Sequence, residues 1–379
     1  MFLTCKTAKM RNICWGDLGS PVKESFWCRL SSLENAHLNQ YKKTDKFNYR
    51  KGENNMYNNI KLEKGLYSIT GKTFTQALAE LDPDANYENT ELKGLDAFER
   101  QLKRFDIKVK GANSDRVEKF FISTESAVLF PEYIRRTVKQ GMDEASIMGK
   151  VAAAVSYTDG VDFRGLNVTK SGSTDVVAEG GNVPITTVRL STSSKTLTKF
   201  ARRLNCSFES VRKQKLEAFG VVLKNLGATI SRDVNSLAMT EITRGITAQT
   251  LIGSELTYAD LAAFWASMGE FNMTTMICTP DVMAKILAMD EMKYCIGDYM
   301  AGGTVQTPYG VTLVKCPQLT GGIAVGIDQS SAVEMVLGGD VIVDYDKLLT
   351  NQCNEIVCSV LAGFSVLTSG AVKTLKTTK

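Results

Sequence analysis

An apolar side chain recurs every three or four residues between Leu216 and Leu237, and this stripe constrains the fold more than any other feature of the sequence. Its members are Leu216, Phe219, Leu223, Leu226, Ile230, Val234 and Leu237. This spacing places all of them on one face of an α-helix, which Ser207 is suited to cap. A helix over 208–237 would be roughly 45 Å long at 1.5 Å per residue. That is long for a globular domain.

Residues 150–200, directly before this helix, are typical of β-structure. Val188, Leu190 and Thr192 alternate on one flank, and the centre is rich in Gly, Ser, Thr and Asp. The pattern predicts a long two-stranded excursion with a loose tip. Because an isolated hairpin is marginally stable in water, we expect it to lie on another surface, such as another subunit.

A long charged stretch precedes the β-rich part, and its spacing predicts two short amphipathic helices. They are expected over 74–81 (FTQALAEL) and 91–105 (ELKGLDAFERQLKRF). Residues 105–115 (FDIKVKGANSD) are predicted to form a short strand and a turn. Neither helix has a neighbouring core of its own, so we expect both to bury their apolar stripes on something else.

The motif AVLFPEYIRRTV (127–138) ends this stretch and predicts a further helix. Proline is tolerated in the first helical turn, so the helix is expected to start at Pro131, with the favourable charge of Glu132 beside it. Arg135 and Arg136 are expected to form a solvated face or salt bridges. A nucleic-acid contact is disfavoured, because no basic or aromatic repeat continues them.

The chain after the long helix is predicted to mix helices and strands. Helices are expected from near Thr257 and from Pro280, and strands are expected within 273–280, 310–317 and 321–328. Further strands are predicted within 333–346, 354–369 and 371–376, with a turn at Leu348–Cys353. The sequence therefore predicts an α/β part followed by strands that return towards the rest of the fold.

Residues 1–55 differ from the rest of the chain in charge and composition. They hold ten Lys and Arg against five Asp and Glu, and they contain the only histidine, His37. No helical or strand period is visible in them. One hypothesis is that translation normally starts at Met56 and that 1–55 is upstream read-through. The alternative is a disordered N-terminal tail.

The reactive residues of the sequence favour no catalytic or cofactor site. The nine cysteines include no CxxC pair, which indicates reduced thiols rather than a metal site. A single histidine leaves little room for Ser–His–Asp or Cys–His chemistry. The segment SITGKTF (68–74) resembles the end of a phosphate-binding loop, but Leu66 stands where that loop needs glycine. No stretch approaches the roughly 20 apolar residues that cross a bilayer.

The order of these elements and four local motifs resemble the tailed-bacteriophage major capsid proteins of the Hong Kong 97 type. The motifs are LDAFERQLKRF (95–105), VEKFF (117–121), SAVLFPEYIRRTVKQG (126–141) and AEGGNVP (178–184). The resemblance covers about 56–379, and the LFPE stretch is its most specific part.

The resemblance implies an α+β fold with an N-terminal arm, an extended β-hairpin loop, a peripheral domain with a long spine helix and an axial α/β domain. The implied divisions are a disordered or spurious extension (1–55), a charged scaffold-like segment with the N-arm (56–155), the extended loop (156–198), the peripheral domain (199–249), the axial domain (250–334), returning peripheral strands (335–365) and a final strand that rejoins the axial domain (366–379).

The resemblance also directs attention to two sets of residues. The inter-subunit loop set is Lys170, Glu179, Gly180, Gly181 and Pro184, and the N-arm set is Leu129, Phe130, Pro131 and Arg135. Some members of the family crosslink subunits through a Lys–Asn bond, for which Lys170 with Asn351 or Asn354 is a candidate. The alternative is a solvated lysine on a mobile loop. Whether the N-terminal segment is cleaved stays open.

The function implied is that of a structural, non-enzymatic subunit of an icosahedral phage head enclosing double-stranded DNA. Its expected partners are copies of itself in hexamers and pentamers, a portal, packaged DNA held without sequence specificity and, as an open option, a scaffold or decoration protein. No membrane, metal or cofactor is expected, and assembly is expected in the cytoplasm of a bacterial host. The alternatives are an encapsulin-like bacterial nanocompartment shell and, more remotely, a nucleotide-binding enzyme.

Overall fold

The predicted stripe lies on a 28-residue helix, Leu216–Thr243, in the computed structural model of the chain. The structure describes residue 57 and residues 60–69, 71–88, 90–171, 177–295, 297, 304–348 and 350–377. The predictions about residues 1–55, including His37 and the start at Met56, lie outside the described residues. Leu223 and Ile230, in the middle of the stripe, are fully buried, so the apolar face of the helix forms core.

The prediction of one continuous helix is wrong in its bounds. A short helix, Phe208–Lys213, precedes the long one and is separated from it by a break. At the break, the Val117 N–H donates to the Gln214 carbonyl at 3.0 Å, and the Leu216 N–H donates to the Asp115 carbonyl at 2.8 Å. Because these backbone groups pair with a segment about a hundred residues away, the helical ladder does not run through them.

The helices and strands are numbered here in chain order. The α-helices of the described residues are α1 (Phe74–Leu81), α2 (Ala97–Arg104), α3 (Thr124–Ala145), α4 (Phe208–Lys213), α5 (Leu216–Thr243), α6 (Tyr258–Ala266) and α7 (Pro280–Leu287). The strands are β1 (Ala154–Tyr157), β2 (Asp162–Phe163), β3 (Leu166–Ser171), β4 (Ile185–Leu190), β5 (Lys195–Thr196), β6 (Thr198–Ser207), β7 (Thr275–Cys278), β8 (Thr312–Lys315), β9 (Ile323–Ile327), β10 (Val333–Leu337), β11 (Ile342–Leu348), β12 (Cys353–Val366) and β13 (Val372–Lys376). The expectation of an α+β fold is confirmed.

Strand β12 is the centre of the first sheet. It pairs antiparallel with β6 along one edge and with β11 and then β10 along the other. Strand β1 extends the sheet by pairing parallel with β10. Helix α5 packs on β12, and α3 packs on α5, so the long helix lies between the sheet and the N-terminal part of the chain.

The second sheet has the order β13-β9-β7-β8. Strands β7 and β8 are parallel, while β9 is antiparallel to both β7 and β13. Its four strands fall within segments predicted from the sequence, and helix α7 begins at Pro280 as expected. Phe264, Met276 and Leu375 belong to a separate buried cluster beneath this sheet. The final strand, β13, therefore joins a unit whose other strands come from much earlier in the chain.

Helix α3 begins at Thr124 rather than at Pro131, so the prediction for the AVLFPEYIRRTV motif is wrong. The Ser123 hydroxyl accepts from the Ser126 N–H, while the Ser126 side chain accepts from the Ser123 N–H. This reciprocal cap fixes the start seven residues before the proline. Pro131 consequently lies inside the helix, where it removes one ladder hydrogen bond.

Two other N-terminal predictions also need correction. Helix α2 starts at Ala97 rather than near 91, because Asp96 and Glu99 form a capping box there. The expected strand within 105–115 is absent from these described residues. The Lys108 N–H instead donates to the Asp115 carboxylate at 2.7 Å, which closes the segment into a loop.

Helices α3 and α5 cross at unusually close range. A Cβ added to Gly141 would overlap the Lys224 backbone, and one added to Gly227 would overlap the Val138 carbonyl. The two glycines thus let each backbone approach the other. Among the helices of the described ranges, none combines the length and apolarity that a membrane span requires.

Candidate functional site

The β-hairpin segment 162–196, called the arm from here on, carries an uncovered apolar face. Leu166 lies opposite Leu190 in the β3–β4 register, and Val188 is two residues from Leu190, so these three share one face. Their side chains are 39%, 61% and 57% exposed, respectively. Such an apolar face typically marks a contact surface when it is contiguous.

The tip of the arm contains the loop residues singled out from the sequence. Gly180 has a φ of 77°, a conformation that suits glycine, and the Gly181 N–H donates to the Ala178 carbonyl at 2.8 Å. Glu179 is exposed, and Pro184 directly precedes β4. These residues shape a turn, and their role between subunits stays a prediction.

Lys195 connects the base of the arm to the body. The Lys195 ammonium donates to the Phe364 carbonyl at 3.1 Å and pairs with the Glu241 carboxylate at 3.3 Å. Glu241 also pairs with Arg244 at 2.6 Å. The contacts connect the arm to both β12 and α5, while Leu166 and Leu190 further out remain uncovered.

The residues predicted for the N-arm lie inside the fold. Leu129 and Phe130 are buried in the main core, and Phe130 stacks near Phe219 of α5 with ring centroids 6.3 Å apart. Pro131 is part of helix α3. Arg135 is mostly buried and forms salt bridges, as one of the two sequence readings expected.

Glu132 is the centre of an ionic network on α3. Its carboxylate is fully buried and accepts from Arg135, from Arg136 and from the Thr75 hydroxyl, each at 2.7 Å. Arg135 also pairs with Asp340, in the loop before β11. Three segments distant in sequence therefore meet around one carboxylate.

The electrostatics of the network favour its charged form. Burial alone would raise the pKa of Glu132, but the hydrogen bonds and charges of Arg135 and Arg136 outweigh it and hold the pKa below its ordinary value. The pKa of Asp340 is also lowered, because the Val341 N–H and the charges of Arg135 and Lys139 outweigh the effect of burial.

Tyr67 interacts with the same helix through its hydroxyl. This group donates to the Val128 carbonyl at 2.8 Å and accepts from the Glu132 N–H at 3.1 Å. Burial and the nearby Glu132 charge raise the pKa of Tyr67, so the hydroxyl keeps its proton near neutral pH. The tyrosine ring stacks on Phe74 with centroids 4.4 Å apart.

The residues considered for a Lys–Asn crosslink occupy different settings. Lys170 lies in β3 opposite Thr186. Asn354 is buried, and its side-chain oxygen accepts from the Tyr345 hydroxyl at 2.9 Å, whereas Asn351 is exposed in the turn before β12. Of the two asparagines, only Asn351 is thus accessible to a neighbouring lysine.

The remaining chemistry of the described residues is sparse. Burial raises the pKa of the Cys278 and Cys358 thiols to about 12, so both are protonated at neutral pH. Within the described ranges, no group of three or more His, Cys, Asp and Glu residues is placed to hold a metal ion.

Sequence reasoning expected a solvated face or salt bridges for Arg135 and Arg136, but it did not identify Glu132 as their shared partner. Its signal was present as an acid followed by arginines at three and four positions, a spacing that permits helical ion pairs. Tyr67 and Asp340 carried no such signal, because their partners are distant in sequence.

The chain is similar to capsid proteins in sequence over part of its length. Residues 190–348 match the family described as phage capsid protein. The matched range runs from the end of the arm through α5 and strands β7, β8 and β9 of the second sheet to β11. No curated protein matches the chain in sequence.

Several solved structures are similar to part of the chain. One is the virus-like particle from Pyrococcus furiosus, with 15% identity, a TM-score of 0.46, and coverage of 64% of this chain and 98% of that chain. Another is the capsid of an empty GTA particle, with 10% identity, a TM-score of 0.47, and coverage of 62% and 90%. A third is from Gordonia phage Cozz, with 15% identity, a TM-score of 0.43, and coverage of 61% and 86%.

The family match covers the long helix α5 and strands of both sheets, and it lies entirely after the four motifs on which the resemblance was based. The resemblance to phage capsid proteins is therefore confirmed by an independent comparison. The match over residues 190–348 supports the interpretation of this chain as a structural subunit of a capsid.

Proposed function

We propose that this capsid subunit assembles with copies of itself, as hexamers and pentamers, into an icosahedral shell around double-stranded DNA. The observation that carries the proposal is the arm, whose face around Leu166, Val188 and Leu190 is uncovered within one subunit. Burying this face against a neighbouring copy removes apolar surface from water, which stabilises the contact by about 25 cal/mol for each Å² buried. Repeating such a contact by symmetry closes a shell.

Each segment of the chain has its own role in the proposed capsid subunit. Residues 56–155 carry the N-terminal segment, 156–198 the inter-subunit loop, 199–249 with 335–365 the peripheral domain, and 250–334 with 366–379 the axial domain around the capsomer centre. The separate buried cluster beneath the second sheet supports an axial unit with its own core. The role is structural rather than enzymatic, in the virion, with assembly in the bacterial cytoplasm and contact with a portal.

The test compares two faces of the same strand. Val188→Ser with Leu190→Ser changes the apolar face, and Thr187→Ser with Arg189→Ser changes the opposite face as a matched control. We expect the first variant to stay folded by circular dichroism but to form no shells by electron microscopy, while the control assembles. Normal shells from both variants would contradict the proposed arm contact. Nuclease-protected DNA of uniform length in native particles tests the cargo.

A further inference from the structure

We propose that residues 57–107, called the N-terminal module from here on, remain clasped to helix α3 and are retained in the mature subunit rather than released by proteolysis. The inference rests on the proposed function, because retention in the mature particle presupposes a subunit of a capsid.

The module shares the main core of the subunit. Phe74 and Leu78 of α1 and Phe98 and Leu102 of α2 are buried in the cluster that also contains Leu129 of α3. Fully burying one such side chain contributes about 1.5–3 kcal/mol. Releasing the module would therefore expose several large apolar side chains, both on the module and on the part of the subunit that it covers.

The module also completes the backbone hydrogen bonding of α3. Pro131 interrupts the helical ladder, and the Tyr67 hydroxyl bonds both the Val128 carbonyl and the Glu132 N–H one step away. In an undistorted helix those two groups bond to each other. A module residue thus supports the helix where its own sequence weakens it.

Ionic contacts span the same boundary. The Thr75 hydroxyl donates to the buried Glu132 carboxylate at 2.7 Å, and Arg135 donates to the Thr75 hydroxyl oxygen at 2.9 Å. Arg136 pairs with Asp96 and lies over the Phe98 ring, 4.4 Å from its centroid. These contacts join polar groups that would need new partners after separation.

The module is internally braced as well. Arg100 is fully buried and donates to the Asp82 carboxylate at 2.6 Å, the Asp84 carboxylate at 2.9 Å and the Leu95 carbonyl at 2.6 Å. Its guanidinium lies over the Tyr87 ring at 4.3 Å. The brace holds α1 and α2 in the arrangement that matches α3.

The test distinguishes cleavage of the chain from dissociation of the N-terminal module. A recognition site for a specific protease is inserted between Lys110 and Gly111, two exposed residues in the loop that follows the module. After complete cleavage of the full chain, we expect both fragments to co-elute in gel filtration and to separate only in denaturant. The uncut inserted protein controls for the insertion itself. Elution of the module alone without denaturant would overturn the proposal.

Two further readouts sharpen the result. In the cleaved protein, Tyr67→Phe should speed dissociation of the module at least several-fold, whereas Tyr157→Phe, at an exposed tyrosine outside the boundary, should leave it unchanged. Mass spectrometry of native particles should show subunits that retain residues 57–107. Particles built from subunits that lack residues 57–107 would contradict the proposed retention of the module but not the proposed capsid function. Fragments that co-elute from a protein that forms no shells would contradict the proposed capsid function but not the attachment of the module to α3.

Discussion

The hydroxyl of Tyr67 accepts a hydrogen bond from the backbone N–H of Glu132, 65 residues further along the chain, at 3.1 Å. With its own proton it bonds the Val128 carbonyl, so one side chain joins two backbone groups on either side of Pro131. The proline of the LFPE motif and the tyrosine are therefore parts of one arrangement. Pro131 weakens the hydrogen bonding of α3, and the Tyr67 hydroxyl supplies hydrogen bonds to the backbone beside it.

Replacing Tyr67 with phenylalanine should destabilise the folded subunit by about 1–3 kcal/mol, because it leaves backbone groups without their partner while keeping the ring stacked on Phe74. Urea unfolding followed by circular dichroism measures the change. Tyr157→Phe, at a tyrosine that is 69% exposed, serves as the control and should shift stability by less than about 0.5 kcal/mol. Equal midpoints for both variants would show that the bridge contributes nothing.

The close crossing of α3 and α5 should not tolerate a single added methyl group. Gly141→Ala or Gly227→Ala should cost about 3 kcal/mol or more, or prevent soluble expression, because each Cβ would overlap a backbone atom of the other helix. Gly149→Ala, which meets open space, should be neutral or slightly stabilising. Thermal melts of the three proteins check this. Alanine at 141 and 227 behaving like alanine at 149 would argue against the crossing.

Removing the buried cation of the N-terminal module should be severe. Arg100→Met leaves the buried Asp82 carboxylate without its ion pair and should cost about 3–5 kcal/mol. Arg116→Met, at an exposed arginine 3.7 Å from Glu118, should cost little. Adding Asp82→Asn to Arg100→Met should restore part of the lost stability in chemical denaturation. A double variant no more stable than the single one would mean that packing, rather than the stranded charge, causes the loss.

The network around Glu132 should make stability depend on pH in the acidic range. Because the folded-state pKa of Glu132 lies below the unfolded value of about 4.3, its contribution is present above that value and is lost as the pH falls through the folded pKa. Asp340 acts in the same direction. Urea midpoints between pH 7 and pH 3 should therefore fall less steeply for Glu132→Gln than for the unchanged protein. Parallel slopes would exclude the carboxylate as a source of acid sensitivity.

The spacing of apolar residues along the chain predicted two kinds of element: those that interact with nearby sequence, and those whose side chains are fully buried. Strands β7, β8 and β9 appear as short apolar runs, and α7 has a proline at its first position, so each carries its own signal. The stripe of α5 was visible for the same reason. Its break at Gln214 was not, because the hydrogen bonds that cause it come from Asp115 and Val117.

The candidate site was less predictable than the fold. The alternation at Val188 and Leu190 predicted the hairpin, and the marginal stability of an isolated hairpin led us to expect that it lies on another surface. The contacts of Tyr67 and Asp340 were not visible, since both residues meet α3 only after the chain has folded. The sequence prediction placed the start of α3 too late, because proline is common in the first turn of a helix. In the structure, the N-terminal cap at Ser123 sets the start of the helix, and Pro131 lies inside it.

Strand β12 has a consequence for how the protein is made. Every strand that pairs with it, β6, β10 and β11, precedes it in the chain, so a ribosome has produced all of them before their common centre exists. Until then the edges that pair with β12 have no partner, and unpaired strand edges are prone to association with other chains. The order of synthesis therefore sets the time at which the first sheet can be completed, because a growing chain acquires that sheet only when β12 emerges from the ribosome.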